Sequence, residues 1–128
     1  MREKYYYDKM AELRDSCGVM PIKVAKKMGI RFDYDKETYI QIIRYLHKNM
    51  KRRPLSGDME EIKGMLEALC LSTTSLATRM GVGRQALIYA LGWGMNKTNL
   101  IRLQKITNNI NTAICNCYAE MIAQKRDE

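Results

Sequence analysis

The chain has 128 residues, 46% of them hydrophobic, which is enough for one domain or two very small ones with a real core and excludes wholesale disorder. Twenty-two Lys and Arg against 14 Asp and Glu leave a formal charge of +8 and an isoelectric point near 9.4. That excess favours a polyanionic partner, nucleic acid being the commonest, although charge alone does not separate this from a merely basic soluble protein.

No run of about 18 apolar residues is present to span a membrane. The opening stretch MREKYYYDKM has no apolar secretory region, so a cytoplasmic setting is expected, with Cys17, Cys70, Cys115 and Cys117 as reduced thiols. Strand signals are nearly absent and helical spacing recurs, which predicts an all-α helical bundle. Residues 5–17 read as a first helix with Met10, Leu13 and Cys17 on one face. Pro21 suits the first turn of a second helix, PIKVAKKM, which Gly29 ends. Asp35 is placed to cap a third helix whose apolar stripe is Tyr39, Ile40, Ile43 and Leu46 or His47. The basic run Lys48 to Arg53 follows, a solvated linker or an extra backbone contact, and Pro54 to Gly57 is the best linker in the chain.

Beyond it, Asp58 caps an amphipathic helix carrying Met59, Ile62, Met65, Leu66 and Leu69, with Glu60 and Glu61 in the first turn where the helix dipole favours negative charge. Ser72 caps a short helix ending at Gly81, and a further helix covers 84–91. GWGMN is expected to break the chain, after which Asn96 caps a helix over KTNLIRLQKITNNI. The tail 111–126 is helical again, with a kink or an unbroken rod both open at TNNINT. The domain reading is an N-terminal three-helix segment over 1–53, a linker over 54–57, a compact unit over 58–110 and a C-terminal helix over 111–128.

Laying residues 10–30 on 62–82, an offset of 52, matches Met10, Leu13, Val24, Ala25, Met28, Gly29 and Ile30 to Ile62, Met65, Leu76, Ala77, Met80, Gly81 and Val82. The match stops where Asp35 meets Leu87. Two readings stay open: coincidence between two amphipathic helix pairs, or a degenerate second copy of one unit.

The stretch SLATRMGVGRQALIYAL, residues 75–91, carries the marks of a close helix crossing. Ala77 is small where the second helix passes, and Gly81 tolerates the positive φ of the turn. Leu76, Met80, Val82, Leu87 and Ala90 or Leu91 anchor both helices. At about 100° per residue, Ala86, Leu87 and Ala90 fall on one side of the second helix, while Arg84, Gln85, Ile88 and Tyr89 fill the opposite arc.

Together with NKTNLIRLQKI behind it, this stretch resembles the lambda repressor and Cro-like helix-turn-helix family over residues 58–110. The resemblance implies a four- or five-helix bundle whose second motif helix enters the major groove of double-stranded DNA. Carried over position by position, it implies that Thr73 and Thr74 bond phosphate, and that Arg84 and Gln85 read base edges. It implies apolar or backbone contacts for Ile88 and Tyr89, and a phosphate clamp at Asn96, Lys97 and Thr98. The GWG around Trp93 departs from the family pattern; Trp93 reads as a core or interface plug rather than a base-stacking residue.

No enzyme site emerges. GVGRQA follows a helix rather than a strand and is rejected as a dinucleotide loop. His47 is the only histidine and reads as a half-buried packing residue. Cys115 and Cys117 have no second pair at zinc spacing. No Walker loop, HExxH or nucleophile elbow is present, so no metal, cofactor or small-molecule substrate is expected. Leu100, Leu103, Thr107, Ile110, Ile114, Cys117 and Met121 keep a 3-4 rhythm. Past Ile110, the residues Ile114, Cys117, Tyr118, Met121 and Ile122 either pack back on the N-terminal helices or pair with a second subunit. Homodimerisation through this helix is the expectation, setting two recognition helices about 34 Å apart. The leading reading is a sequence-specific DNA-binding transcriptional regulator, a repressor of phage or mobile-element type. The alternative is a protein-interaction module, a phage inhibitor or antitoxin, using the surface around Tyr5, Tyr6, Tyr7, Phe32, Tyr34, Tyr39 and Tyr45.

Overall fold

The computed structural model describes residues 2–50 and 59–127. Its order is α1 (Arg2–Glu12), a π-helical turn (Leu13–Cys17), α2 (Pro21–Met28), α3 (Lys36–Asn49), α4 (Met59–Ala68), α5 (Thr73–Met80), α6 (Arg84–Trp93) and α7 (Lys97–Asp127). The fold is all-α, with no strand among the described residues beyond one isolated antiparallel bridge, Val19 with Leu71. No described helix is long and apolar enough to cross a membrane. The linker 54–57, the Asp58 cap and the basic residues 51–53 lie outside the described residues.

Helix ends follow local chemistry. The Thr38 N–H donates to Asp35 Oδ1 at 2.8 Å, the Ser75 N–H to Ser72 Oγ at 3.2 Å, and the Asn99 N–H to Asn96 Oδ1 at 2.8 Å. Pro21 occupies the first turn of α2, and Gly29 and Gly81 end α2 and α5 in the left-handed region. The first helix does reach Cys17, but its last turn widens into π geometry, with Val19 N–H donating to Leu13 O at 3.2 Å. The extra residue in that turn keeps Met10, Leu13 and Cys17 all facing inward.

One core joins all the described helices. Leu13, Val19, Ile43 and Leu46 belong to the same buried cluster as Ile62, Leu69, Leu87, Leu103 and Ile114. Helix α3 is central and packs on α1, α2, α4 and α7. Its buried stripe is Thr38, Tyr39, Ile42, Ile43 and Leu46; Ile40 and His47 are only half-buried, and Thr38 and Ile42 are the residues the expected stripe omits. Helix α7 runs unbroken through TNNINT. Its threonines satisfy themselves within the helix, Thr107 Oγ1 donating to Leu103 O and Thr112 Oγ1 to Asn108 O.

The apolar stripe beyond Ile110 packs back on its own chain. Ile114 is fully buried, and Cys117, Tyr118 and Met121 lean on the core. His47 stacks on Tyr118 with ring centroids 3.7 Å apart, Lys9 pairs with Glu120 at 3.5 Å, and Gln124 Nε2 donates to Tyr5 Oη at 2.7 Å. The residues expected to meet a second subunit thus face α1 and α3 of the same chain.

The offset of 52 has a geometric counterpart. The Met20 N–H donates to Cys70 O at 3.2 Å, and its image, the Ser72 N–H, donates to Gly18 O at 2.7 Å. Lys27 Nζ donates to Glu67 O at 3.1 Å; its image, Arg79 Nη2, donates to Asp15 O at 2.9 Å. Gly18 and Cys70 both have positive φ, 71° and 52°. The Ile30 N–H returns to Ala25 O, as the Val82 N–H returns to Ala77 O, each at 3.1 Å. These bonds pair under an exchange of the two segments, a local two-fold through the Val19–Leu71 bridge, while the preceding helix ends differ: the Val19 N–H returns to Leu13 O but the Leu71 N–H to Leu66 O.

Hydrogen bonds from Thr38, through its side chain and its backbone N–H, hold the Asp35 carboxyl below its ordinary value of 3.8. A depressed carboxylate stabilises the fold above its unfolded pKa and loses that contribution as the pH falls. Asp35→Ala is expected to cost about 1 kcal/mol in urea melts at neutral pH. The gap to wild type should shrink as the pH drops below about 4; a pH-independent gap would refute the cap's role.

Candidate functional site

Helices α5 and α6 are joined by two residues, Val82 and Gly83, after the left-handed Gly81 at φ 71°. A side chain at Gly81 would meet nothing within 4 Å, so φ, and not crowding, selects glycine there. Leu76, Ala77 and Met80 bury the inner face of α5, and Val82 is half-buried under the turn. Arg102 Nη1 donates to Met80 O at 3.1 Å, which ties the end of α5 to α7. Arg79 is committed elsewhere, donating to the Asp15 and Ser16 carbonyls at 2.9 Å each.

Helix α6 packs chiefly on α5 and buries one residue, Leu87, at 1% exposure. Arg84, Gln85, Ile88 and Tyr89 are all exposed, as the helical arc predicts. Ala86 departs from expectation: it is exposed, leaving Leu87 to anchor the helix with only partial help from Ala90 and Leu91. Gly83 offers no side chain to cap α6, so the first-turn N–H groups have no side-chain cap. Thr74 is exposed and Thr73 half-buried at the start of α5. Asn96, Lys97 and Thr98 are exposed at the start of α7, where the Asn96 oxygen is already occupied as a helix cap.

The expected break at GWGMN falls later than the sequence suggested. Helix α6 continues through Gly92 and Trp93 and stops at Gly94, whose φ is 119°. Trp93 is 87% exposed and is no core plug. Its position extends a stripe that the sequence already contained, since Gln85, Tyr89 and Trp93 recur every four residues on one side of a helix. Glycines on both sides masked that signal.

Elsewhere, Tyr39 is buried, and Tyr6, Phe32 and Tyr45 lean on the core, which leaves Tyr5, Tyr7 and Tyr34 as the outward part of the N-terminal aromatic group. Tyr7 and Tyr34 rings lie 4.9 Å apart beside an open groove of about 320 Å³ shared with Ile22 and Phe32. Cys17 and Cys117, a hundred residues apart, meet through a hydrogen bond; that bond and burial hold the Cys17 thiol well above the ordinary thiol range. Cys115 turns the other way, its sulfur 3.9 Å from that of Met50. No family model, curated protein or solved structure matches the chain.

Leu87→Ala is expected to lose about 3 kcal/mol of stability, since it empties the one buried position of α6. Trp93→Ala should change stability by less than about 0.5 kcal/mol. Chemical denaturation checks both, and a large loss at Trp93 would contradict its exposure.

Proposed function

We propose that the chain is a sequence-specific double-stranded DNA-binding regulator of repressor type, from a phage or other mobile element, acting in the cytoplasm without cofactor or catalysis. The carrying observation is the division of α6: Leu87 pins one side to the core, while Arg84, Gln85, Ile88 and Tyr89 stand free on the other. This is the arrangement a major-groove helix requires, because base edges are read by side chains held on a rigid, otherwise unoccupied face. Arg84 suits guanine O6 and N7, Gln85 suits adenine N6 and N7, and Ile88 and Tyr89 suit thymine methyls or the sugar-phosphate edge. Thr73, Thr74, Asn96, Lys97 and Thr98 are candidates for the phosphate contacts that set register. The formal charge of +8 supplies the attraction that brings a polyanion close. Repression then needs only occupancy of a promoter.

A specific observation favours a second reading, a protein-interaction module on a helix-turn-helix scaffold. Tyr89 at 61% and Trp93 at 87% exposure, next to Ile88, give α6 an aromatic edge of the kind that anchors protein interfaces. Titrating labelled duplex at low and moderate salt separates the two. The DNA reading expects affinity to fall steeply with salt, and expects Arg84→Ala to cost about 1–3 kcal/mol on a selected site and relax preference at one base pair. If Arg84→Ala and Gln85→Ala both leave DNA binding unchanged, α6 is not the reading helix.

A further inference from the structure

The local two-fold relates α2 to α5, yet the DNA reading above uses only the second of these two helices. We infer, resting on that reading, that both copies engage one duplex: α6 of the second copy reads bases, and α2 of the first copy holds the phosphate backbone through Lys23 and Lys26, so that a single chain supplies the two contacts a symmetric dimer would divide between subunits.

Four observations carry this. First, the match at offset 52 has structural counterparts beyond the reciprocal bonds that any antiparallel bridge makes: the bond from Lys27 to Glu67 has its image in that from Arg79 to Asp15, and Gly18 and Cys70 share a positive φ. On these the two segments read as two copies of one unit. Second, Met20 and Ser72 are at once the bridge donors and the residues that precede α2 and α5. The first turns of both helices therefore start from opposite sides of the same bridge, and Lys23 stands where Ser75 stands in the other copy. The starts of α2 and α5 therefore lie close together beside that bridge.

Third, the charge of α2 suits that role. It contains Lys23, Lys26 and Lys27 and no acidic residue. Lys27 is tethered to the Glu67 carbonyl, but Lys23 and Lys26 are exposed and join no ion pair among the described residues. Their images Ser75 and Thr78 are neutral, so the positive charge is a property of the first copy and not of the shared scaffold. Fourth, the first copy is unsuited to reading bases. Where the second copy has Arg84 and Gln85, the first has Phe32 and Asp33, followed by Asp35 and Glu37 at the start of α3. Those carboxylates repel phosphate at the start of α3, which packs on α1, α2, α4 and α7 through five buried residues. Holding is what remains for the first copy, and α2 is the part of it fit to hold.

The test uses the full chain and a labelled random duplex of about 20 base pairs across a salt series, with the mass of the complex measured by native mass spectrometry. One chain per duplex is expected. Lys23→Ala/Lys26→Ala should weaken binding uniformly over sequences and lower the log–log salt slope by about two, whereas Lys23→Arg/Lys26→Arg should restore it. Circular dichroism should be unchanged, since both side chains are exposed. If the alanine pair keeps the wild-type slope while Arg84→Ala still weakens binding, α2 is not a contact and the DNA reading survives alone. Two chains on each duplex would overturn the single-chain arrangement. If the wild type shows no salt-dependent duplex binding, both readings fall together.

Discussion

Two backbone hydrogen bonds across the Val19–Leu71 bridge set the position of nearly everything else. For Gly18 and Ser72 to meet as Met20 and Cys70 do, the chain must reverse just after the π turn and just after α4, and each reversal needs a residue in the left-handed region. Gly18 accepts that conformation freely, and the approach of α5 reinforces the demand, since a Cβ there would come 3.1 Å from Ser75 Oγ. Cys70 adopts the same geometry with a side chain, at a cost of about 1 kcal/mol. The bonds from Lys27 and Arg79 then cross in opposite directions, each long cation reaching a carbonyl at the end of the other copy's preceding helix. A positive charge at that end is favourable in both cases, because the helix dipole leaves its carbonyls partly negative.

From that shared base the copies diverge, and the length of the next connection governs how. Six residues, 30–35, separate Gly29 from α3, but only Val82 and Gly83 separate Gly81 from α6. The longer connection carries α3 into the centre, where α7 covers it and five of its residues are buried. The shorter one keeps α6 against α5 at the edge, with Leu87 alone buried. The exposure of the outer face of α6 thus follows from a short connection on a rigid base. A helix held at one buried point and open elsewhere is suited to contact, whichever partner meets it.

Features set within four residues were legible in the sequence. Asp35, Ser72 and Asn96 cap through bonds to the residue three ahead, and Gly29 and Gly81 end helices through their own φ, so spacing alone identified them. The outer arc of α6 was legible for the same reason, because helical angle depends only on residue number. What was not legible depended on distant chain. Ile42 is buried because four other helices converge on α3, and Cys17 meets Cys117 only because α7 lies along the π turn. Ala86 was expected inside because helical angle gives the direction of a face but not its width; with α5 as the main support, one residue fills the contact. Trp93 was misplaced by a local rule overridden: glycine is a poor helix former, yet Gly94 alone ends α6 and Gly92 lies inside it.

The fate of α7 bears on assembly. A 31-residue helix with an apolar stripe past its midpoint is, by pattern alone, as good a dimer seam as a core element. Here the stripe has a partner within the chain, and polar contacts mark the boundary of that seam, with Lys9 on Glu120 and Tyr5 on Gln124. Releasing α7 to pair with another subunit would strip Ile114 and uncover the side of α3 that carries Tyr39, burial worth about 1.5–3 kcal/mol for each large side chain. The helix is therefore better understood as the lid that lets the first copy bury its third helix. That leaves the internal two-fold as the symmetry the chain carries without help from a second subunit.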